Sequence, residues 1–199
     1  MILLAVALLA PGAAQEIRIL PPDPATQPCI GEHPGDSAAR DACMDIVDPM
    51  TMPLAELEQR VPTAHPVEMM QLGIRLFTQT DRKGDGLFWF YAAQLRWRTH
   101  LTCNPPEPGG EGALFGAMFE TAGPMFNKYA GDNVDYWLAT IDAVLEWDAR
   151  TPERFVDDMS QACDIALAEQ RQKMLELQAI IVERRAELEA AAARRRAGD

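Results

Sequence analysis

The candidates for chemistry are few. Asp81-Arg82-Lys83-Gly84-Asp85-Gly86 offers carboxylates at a spacing that a calcium loop would use. Lys83, however, stands where the third ligand should supply oxygen, and Ala92 where the bidentate acid of position twelve belongs. The stretch is therefore expected to be a turn between helices. Gly109-Gly110-Glu111-Gly112 with Gly116 lacks the lysine of a phosphate loop, and Glu107 and Glu111 would repel an anion. Ser37 and Ser160 are the only serines, and neither sits in a Gly-x-Ser-x-Gly setting. His33, His65 and His100 have no zinc-ligand spacing with one another or with cysteine, so each is expected at a turn or on the surface. No catalytic residue, metal ligand or cofactor motif is predicted. The 30 acids still leave open a carboxylate pair of the kind an envelope hydrolase of glycosides would use.

One charge pattern points to a surface. Between residues 132 and 164 lie Asp132, Asp135, Asp142, Glu146, Asp148, Glu153, Asp157, Asp158 and Asp164, against only Arg150 and Arg154. On a helix Asp135, Asp142 and Glu146 share one edge, with Tyr136 and Trp147 leaning outward beside it. Asp135, Tyr136, Asp142, Glu146 and Trp147 thus form a candidate protein-binding face, suited to a basic partner steered by charge. The competing reading is a solvated face, or pairing with Arg96 and Arg98 inside a bundle. A formal charge of −12, from 30 acids and 18 bases, argues against nucleic acid as the partner, because a polyanion must be neutralised by Lys and Arg.

Residues 1–14 bear on the compartment. An apolar run over 2–10 precedes Pro11-Gly12-Ala13-Ala14 and Gln15, the pattern of a signal peptide cut after Ala14. The run is too short to cross a bilayer, which takes about 20 apolar residues. No Lys or Arg precedes it, which leaves open a start further upstream. The expectation is a periplasmic or secreted protein with no membrane insertion once the segment is removed. Cys29, Cys43, Cys103 and Cys163 agree with export, since oxidising compartments convert such even sets into disulfides. Of three possible connectivities, Cys29–Cys43 with Cys103–Cys163 is favoured. The first would close a short Pro/Gly-rich loop, and the second would staple the segment after an aromatic helix to the last helix. Each would contribute about 3–4 kcal/mol on the loop-entropy model.

Hydrophobic residues make up 48% of the 199-residue chain, ample for one core. Residues 87–101 carry aromatic and aliphatic side chains all round a helical wheel, so this helix belongs in the middle of a bundle. A first helix is expected over 66–78, with Val67, Met70, Ile74 and Phe77 as its apolar stripe. Another is expected over 113–122, interrupted at Pro124 and resumed over 125–129. Gly112, Ala113, Gly116 and Ala117 would let a second backbone approach it closely. A fourth runs from Val134 to about Asp148, capped by Asp132 or Asn133 and burying Val134, Trp137, Leu138, Ile141, Val144 and Leu145. Thr151-Pro152-Glu153 begins a long C-terminal helix, about 67 Å if straight, whose distal part must overhang, fold back or fray. The fold class is an all-α, disulfide-stapled helical bundle with an irregular N-terminal arm and a long C-terminal helix. Its division is a signal segment at 1–14, a Pro-rich wrapping arm at 15–65 that includes a short helix over 54–60, a helical core at 66–182, and an exposed helical tail at 183–199.

Residues 69–97 resemble one helix–turn–helix of the tetratricopeptide and Sel1-like families. Leu72-Gly73 matches the small position of the first helix, and Trp89 and Ala92 the aromatic and small positions of the second. Leu76 stands at an aromatic position, Asp85 replaces the expected alanine and Trp97 the closing proline; no second copy follows at a 34-residue step. As a whole the chain is similar to small exported helical proteins of bacteria, periplasmic immunity proteins of toxin systems among them. That resemblance implies a non-enzymatic, protein-binding role. The alternative is a cell-envelope scaffold that self-associates through a coiled-coil arm at 170–196.

Overall fold

The structure is a computed structural model that describes residues 51–103, 105, 110–151 and 161–198. The signal segment, Cys29, Cys43, His33 and the helix start at Thr151-Pro152-Glu153 beyond Thr151 itself lie outside them. Among the described residues the fold is all-α: α1 (Leu54–Arg60), α2 (Pro66–Gln79), α3 (Lys83–Cys103), α4 (Glu111–Gly131), α5 (Val134–Arg150), α6 (Gln161–Glu183) and α7 (Arg185–Ala197).

Helix α3 is the axis. Leu87, Phe88, Phe90, Tyr91, Ala92, Ala93, Leu95 and Trp97 are all at most 3% exposed, and α2, α4, α5 and α6 pack around it. The helix begins earlier than the sequence suggests. Lys83 to Gly86 already belong to it, and the turn shrinks to residues 80–82. The reason lies in the hairpin with α2. A β-carbon added at Gly73 would sit 2.9 Å from the Phe90 amide nitrogen, and one at Gly86 would sit 2.8 Å from the Gly73 carbonyl oxygen. The two helices therefore touch backbone to backbone, which only glycine permits, and Gly86 must be helical to reach its mate. The close approach expected at the α4 small-residue face is absent. A β-carbon at Gly116 would meet nothing within 4 Å, and Ala113 and Ala117 are exposed.

On α2 the core face is set by Met69, Met70, Leu72 and Leu76, each at most 2% exposed, while Val67, Ile74 and Phe77 are half-buried at its edge. The stripe is rotated because Gly73, and not a large side chain, faces α3. Residues 51–65 close over this hairpin. Leu57 and Val61 are fully buried, and Arg75 donates a 2.6 Å hydrogen bond to the Met52 carbonyl. Helix α4 runs unbroken through Pro124. Pro124 and Glu120 are both exposed, so the carbonyl deprived of its donor faces water. Asn133 caps α5 by accepting from the Tyr136 amide at 3.1 Å.

Cys103, the last residue of α3, is bonded to Cys163 in the first turn of α6, with Cα atoms 5.2 Å apart. Closing a 60-residue separation stabilises by about 4 kcal/mol on the loop-entropy model. Helix α6 then runs antiparallel to α5, with Arg171 at Asp148 and Gln178 at Asp142. The C-terminal helix kinks at Arg184 (φ −95°, ψ 11°). Beyond the kink, α7 lies across the α4–α5 corner, where Ala192 is buried and Arg195 pairs with Asp132 at 2.6 Å.

The glycine contact generates a test. Gly73→Ala and Gly86→Ala should each lower urea-melt stability by about 1–3 kcal/mol through overpacking, with the double variant costing less than the sum because both disturb one contact. Gly116→Ala should instead stabilise by about 0.5–1 kcal/mol, since it adds helix propensity in open space. Equal effects at all three positions would contradict the packing described.

Candidate functional site

The acidic edge of α5 is divided by its surroundings. Asp135 is exposed and accepts from Arg185 at 2.7 Å. Asp142 is exposed and accepts from the Gln178 amide at 2.7 Å. Glu146 faces solvent with Arg150 at 3.3 Å. The two aromatics do not stand beside them on the surface. Trp147 is 4% exposed, with its ring 5.5 Å from Trp89 and under the Arg96 guanidinium at 4.9 Å. Tyr136 is half-buried, and its hydroxyl fills the space above Gly84 that a β-carbon would need. The expectation of an outward-leaning Trp147 is corrected. The arginine on α3 supplies a cation that holds the indole inside, a partner that helical periodicity on α5 alone does not reveal.

Asp148 also leaves the surface. Its side chain is fully buried between Arg96, itself 3% exposed, and Arg171, which is 36% exposed. Arg96 further donates to the carbonyls of Asp148 and Thr151. The pairing foreseen between the acidic run and Arg96 is thus realised at this one carboxylate. It joins α3, α5 and α6 near the ends that the disulfide also ties.

A second cluster links residues far apart in sequence. His65 precedes Pro66 and caps α2, its Nδ1 accepting from the Val67 amide at 3.2 Å. His100 lies in the last turn of α3, and Glu111 is the first residue of α4. The Glu111 carboxylate is 3.1 Å from Nε2 of His65 and 3.1 Å from Nε2 of His100. The imidazoles meet edge to face at 5.1 Å, and Trp97 packs on His65. Burial pushes the His65 ring below its ordinary value, with Glu111 opposing the shift and His100 adding to it. One nitrogen or oxygen from each residue falls within 4.8 Å of the others, a set that could hold a metal ion. The local spacing 65, 100, 111 carries no signature. The hairpin does: setting Gly73 against Phe90 sets residue 65 against the turn that contains His100.

Of the EF-like acids, Asp85 serves the fold. Arg82 donates to Asp85 at 2.6 Å and also bonds Glu58, tying α1 to the start of α3. The fold and these clusters define a disulfide-closed all-α bundle. No protein-family model matches the chain, and comparison with curated proteins and with solved structures finds no match.

Two outcomes follow from these environments. Asp148→Ala strands the buried Arg96 guanidinium and should cost about 3–5 kcal/mol in a denaturant melt. Arg171→Ala, at the part-exposed side of the same carboxylate, should cost about 1 kcal/mol, and a reversed order would show that Arg96 does not depend on Asp148. The chain holds three tyrosines, Tyr91, Tyr129 and Tyr136. Burial raises all three, and Tyr129 and Asp85 help carry Tyr136 to about 12. A phenol whose folded value exceeds the unfolded one near 10 leaves stability intact below pH 10 and erodes it as pH rises through the folded value. Absorbance at 295 nm should therefore show native protein at pH 10 with far less than half of its tyrosine ionised.

Proposed function

We propose that the protein is an exported, non-enzymatic binding protein that docks a basic protein partner on the outer surface of α5 and α6. The observation that carries this reading is the company kept by exposed apolar side chains on α6. Ile165, Leu175, Ile180 and Val182 are 47–57% exposed, and Asp164, Glu169, Glu176 and Glu183 are exposed on the same helix. Asp135, Asp142 and Glu146 stand on the adjoining α5. Lys173 is also exposed there, and apolar groups left in water among this surplus of carboxylates suit a partner that brings both apolar and basic side chains. This moves the apolar part of the surface from Tyr136 and Trp147, which the core uses, to α6.

Export rests on the signal-like residues 1–14 and on the Cys103–Cys163 bond, which an oxidising compartment maintains. Among the described residues no helix is long and apolar enough to cross a membrane. The narrower form of the reading is a toxin-neutralising immunity protein of the periplasm. A coiled-coil scaffold fits less well, because Leu188 of the distal helix packs against the core and Ala192 is buried. A carboxylate-pair hydrolase gains little from Asp148, the fully buried carboxylate, because two arginines hold it.

Affinity capture from periplasmic extract tests the surface. The wild-type chain should retain a basic protein that elevated salt releases, and Asp142→Lys with Glu146→Lys should lose it. Capture unchanged by the double reversal rejects the surface.

A further inference from the structure

We infer that His65, His100 and Glu111 form a binding site for a zinc-class divalent cation at the disulfide end of the bundle. The donor set is two imidazole nitrogens and one carboxylate, which suits a borderline transition metal and not calcium or magnesium, whose ligands are oxygens. The spacing is that of ligands sharing an ion. Bonds of about 2.0–2.2 Å at tetrahedral angles put neighbouring ligand atoms about 3.3 Å apart. Here His65 Nε2 lies 3.1 Å from Glu111 Oε1 and His100 Nε2 3.1 Å from Oε2. One atom from each residue falls within 4.8 Å of the others, so small side-chain shifts would bring all three onto one ion. Glu111 Oε1 is buried and accepts no hydrogen bond of good geometry, although His65 Nε2 is 3.1 Å away. An ion between them would use the oxygen that the imidazole does not.

The three ligands come from elements already held in place. Pro66 starts α2 directly after His65, Cys103 anchors the turn that carries His100, and Glu111 opens α4. The side chains are 14–28% exposed, so an ion can enter from solvent and water can complete its coordination. Binding has consequences at both imidazoles. In the metal-free protein His65 Nδ1 accepts from the Val67 amide and His100 Nε2 faces Glu111 Oε2 at 3.1 Å, so each neutral ring carries its proton on Nε2. Coordination through Nε2 moves each proton to Nδ1, with no net release. The His65 Nδ1–H then faces the Val67 N–H, so that capping bond is lost and the amide must turn to another acceptor. One capping bond is a small cost beside the free energy of a three-ligand site.

The test uses the full chain with its disulfide intact, stripped with EDTA and titrated with Co²⁺ and then Zn²⁺. One equivalent of Co²⁺ should give the visible bands of a low-coordinate site, displaced by one equivalent of Zn²⁺. Amide exchange at Val67 should speed up on binding. His100→Gln and Glu111→Gln should each weaken Zn²⁺ binding at least tenfold by calorimetry. No Co²⁺ bands with the wild-type chain would overturn the site whatever the variants do. Zn²⁺ binding unaltered in a folded His100→Gln or Glu111→Gln protein would overturn it as well.

Discussion

A helix with no polar side can exist only where every side is covered, and α3 is such a helix. Eight of its large or small apolar residues are at most 3% exposed, and with the buried Gln94, Arg96 and Thr99 they leave only Lys83, Arg98 and Thr102 exposed along the helix. Four other helices are recruited for that reason. Enclosure also traps the polar groups α3 carries. Thr99 turns its hydroxyl back to the Leu95 carbonyl, and Gln94 does the same toward Phe90. Tyr91 receives the Trp137 indole N–H at 2.8 Å. Arg96 has no such local solution, because a buried guanidinium needs a carboxylate.

That need ranks the other contacts. Asp148 must arrive at Arg96 to neutralise it, which sets how far α5 slides along α3. Arg171 must then reach the second carboxylate oxygen, which sets α6. The disulfide joins α6 to the same end of α3. At the opposite end the register is steric, fixed by Gly73, Gly86 and the Tyr136 hydroxyl over Gly84. Charge and covalency hold one end, and close backbone contact the other.

The parts visible in the amino-acid order are those written in local pattern. The wheel of aromatics marks α3 as central, Pro66 marks the start of α2, and Asp132 or Asn133 the start of α5, of which Asn133 is the cap; among three connectivities the favoured Cys103–Cys163 bond is the one found. What escapes is decided between helices. Pro124 looks like a break until its exposed side is known, and Trp147 looks outward until Arg96 arrives from another helix. Arg184 has no breaker beside it, yet α7 turns there to bring Ala192 and Arg195 onto the α4–α5 corner. The spacing of the histidines and Glu111 is silent for the same reason, since only the α2–α3 hairpin brings His65 to His100 and only the start of α4 adds Glu111.

The distribution of arginine explains why the outer surface remains acidic. Arg96 and Arg171 are turned to Asp148, Arg185 to Asp135, and Arg195 to Asp132. These four are engaged in joining helices, which leaves Arg150, beside Glu146, and Lys173 as the exposed cations of α5 and α6 against Asp142, Asp164, Glu169, Glu176 and Glu183. The surplus carboxylates then flank the apolar residues of α6. Two copies of such a face would bring anion against anion as their apolar side chains met, at a cost that grows as water is excluded. A basic partner meets the opposite balance, gaining attraction at the carboxylates and burial at the apolar groups. On the proposed reading, the acids thus choose the partner by sign while the apolar side chains supply the adhesion.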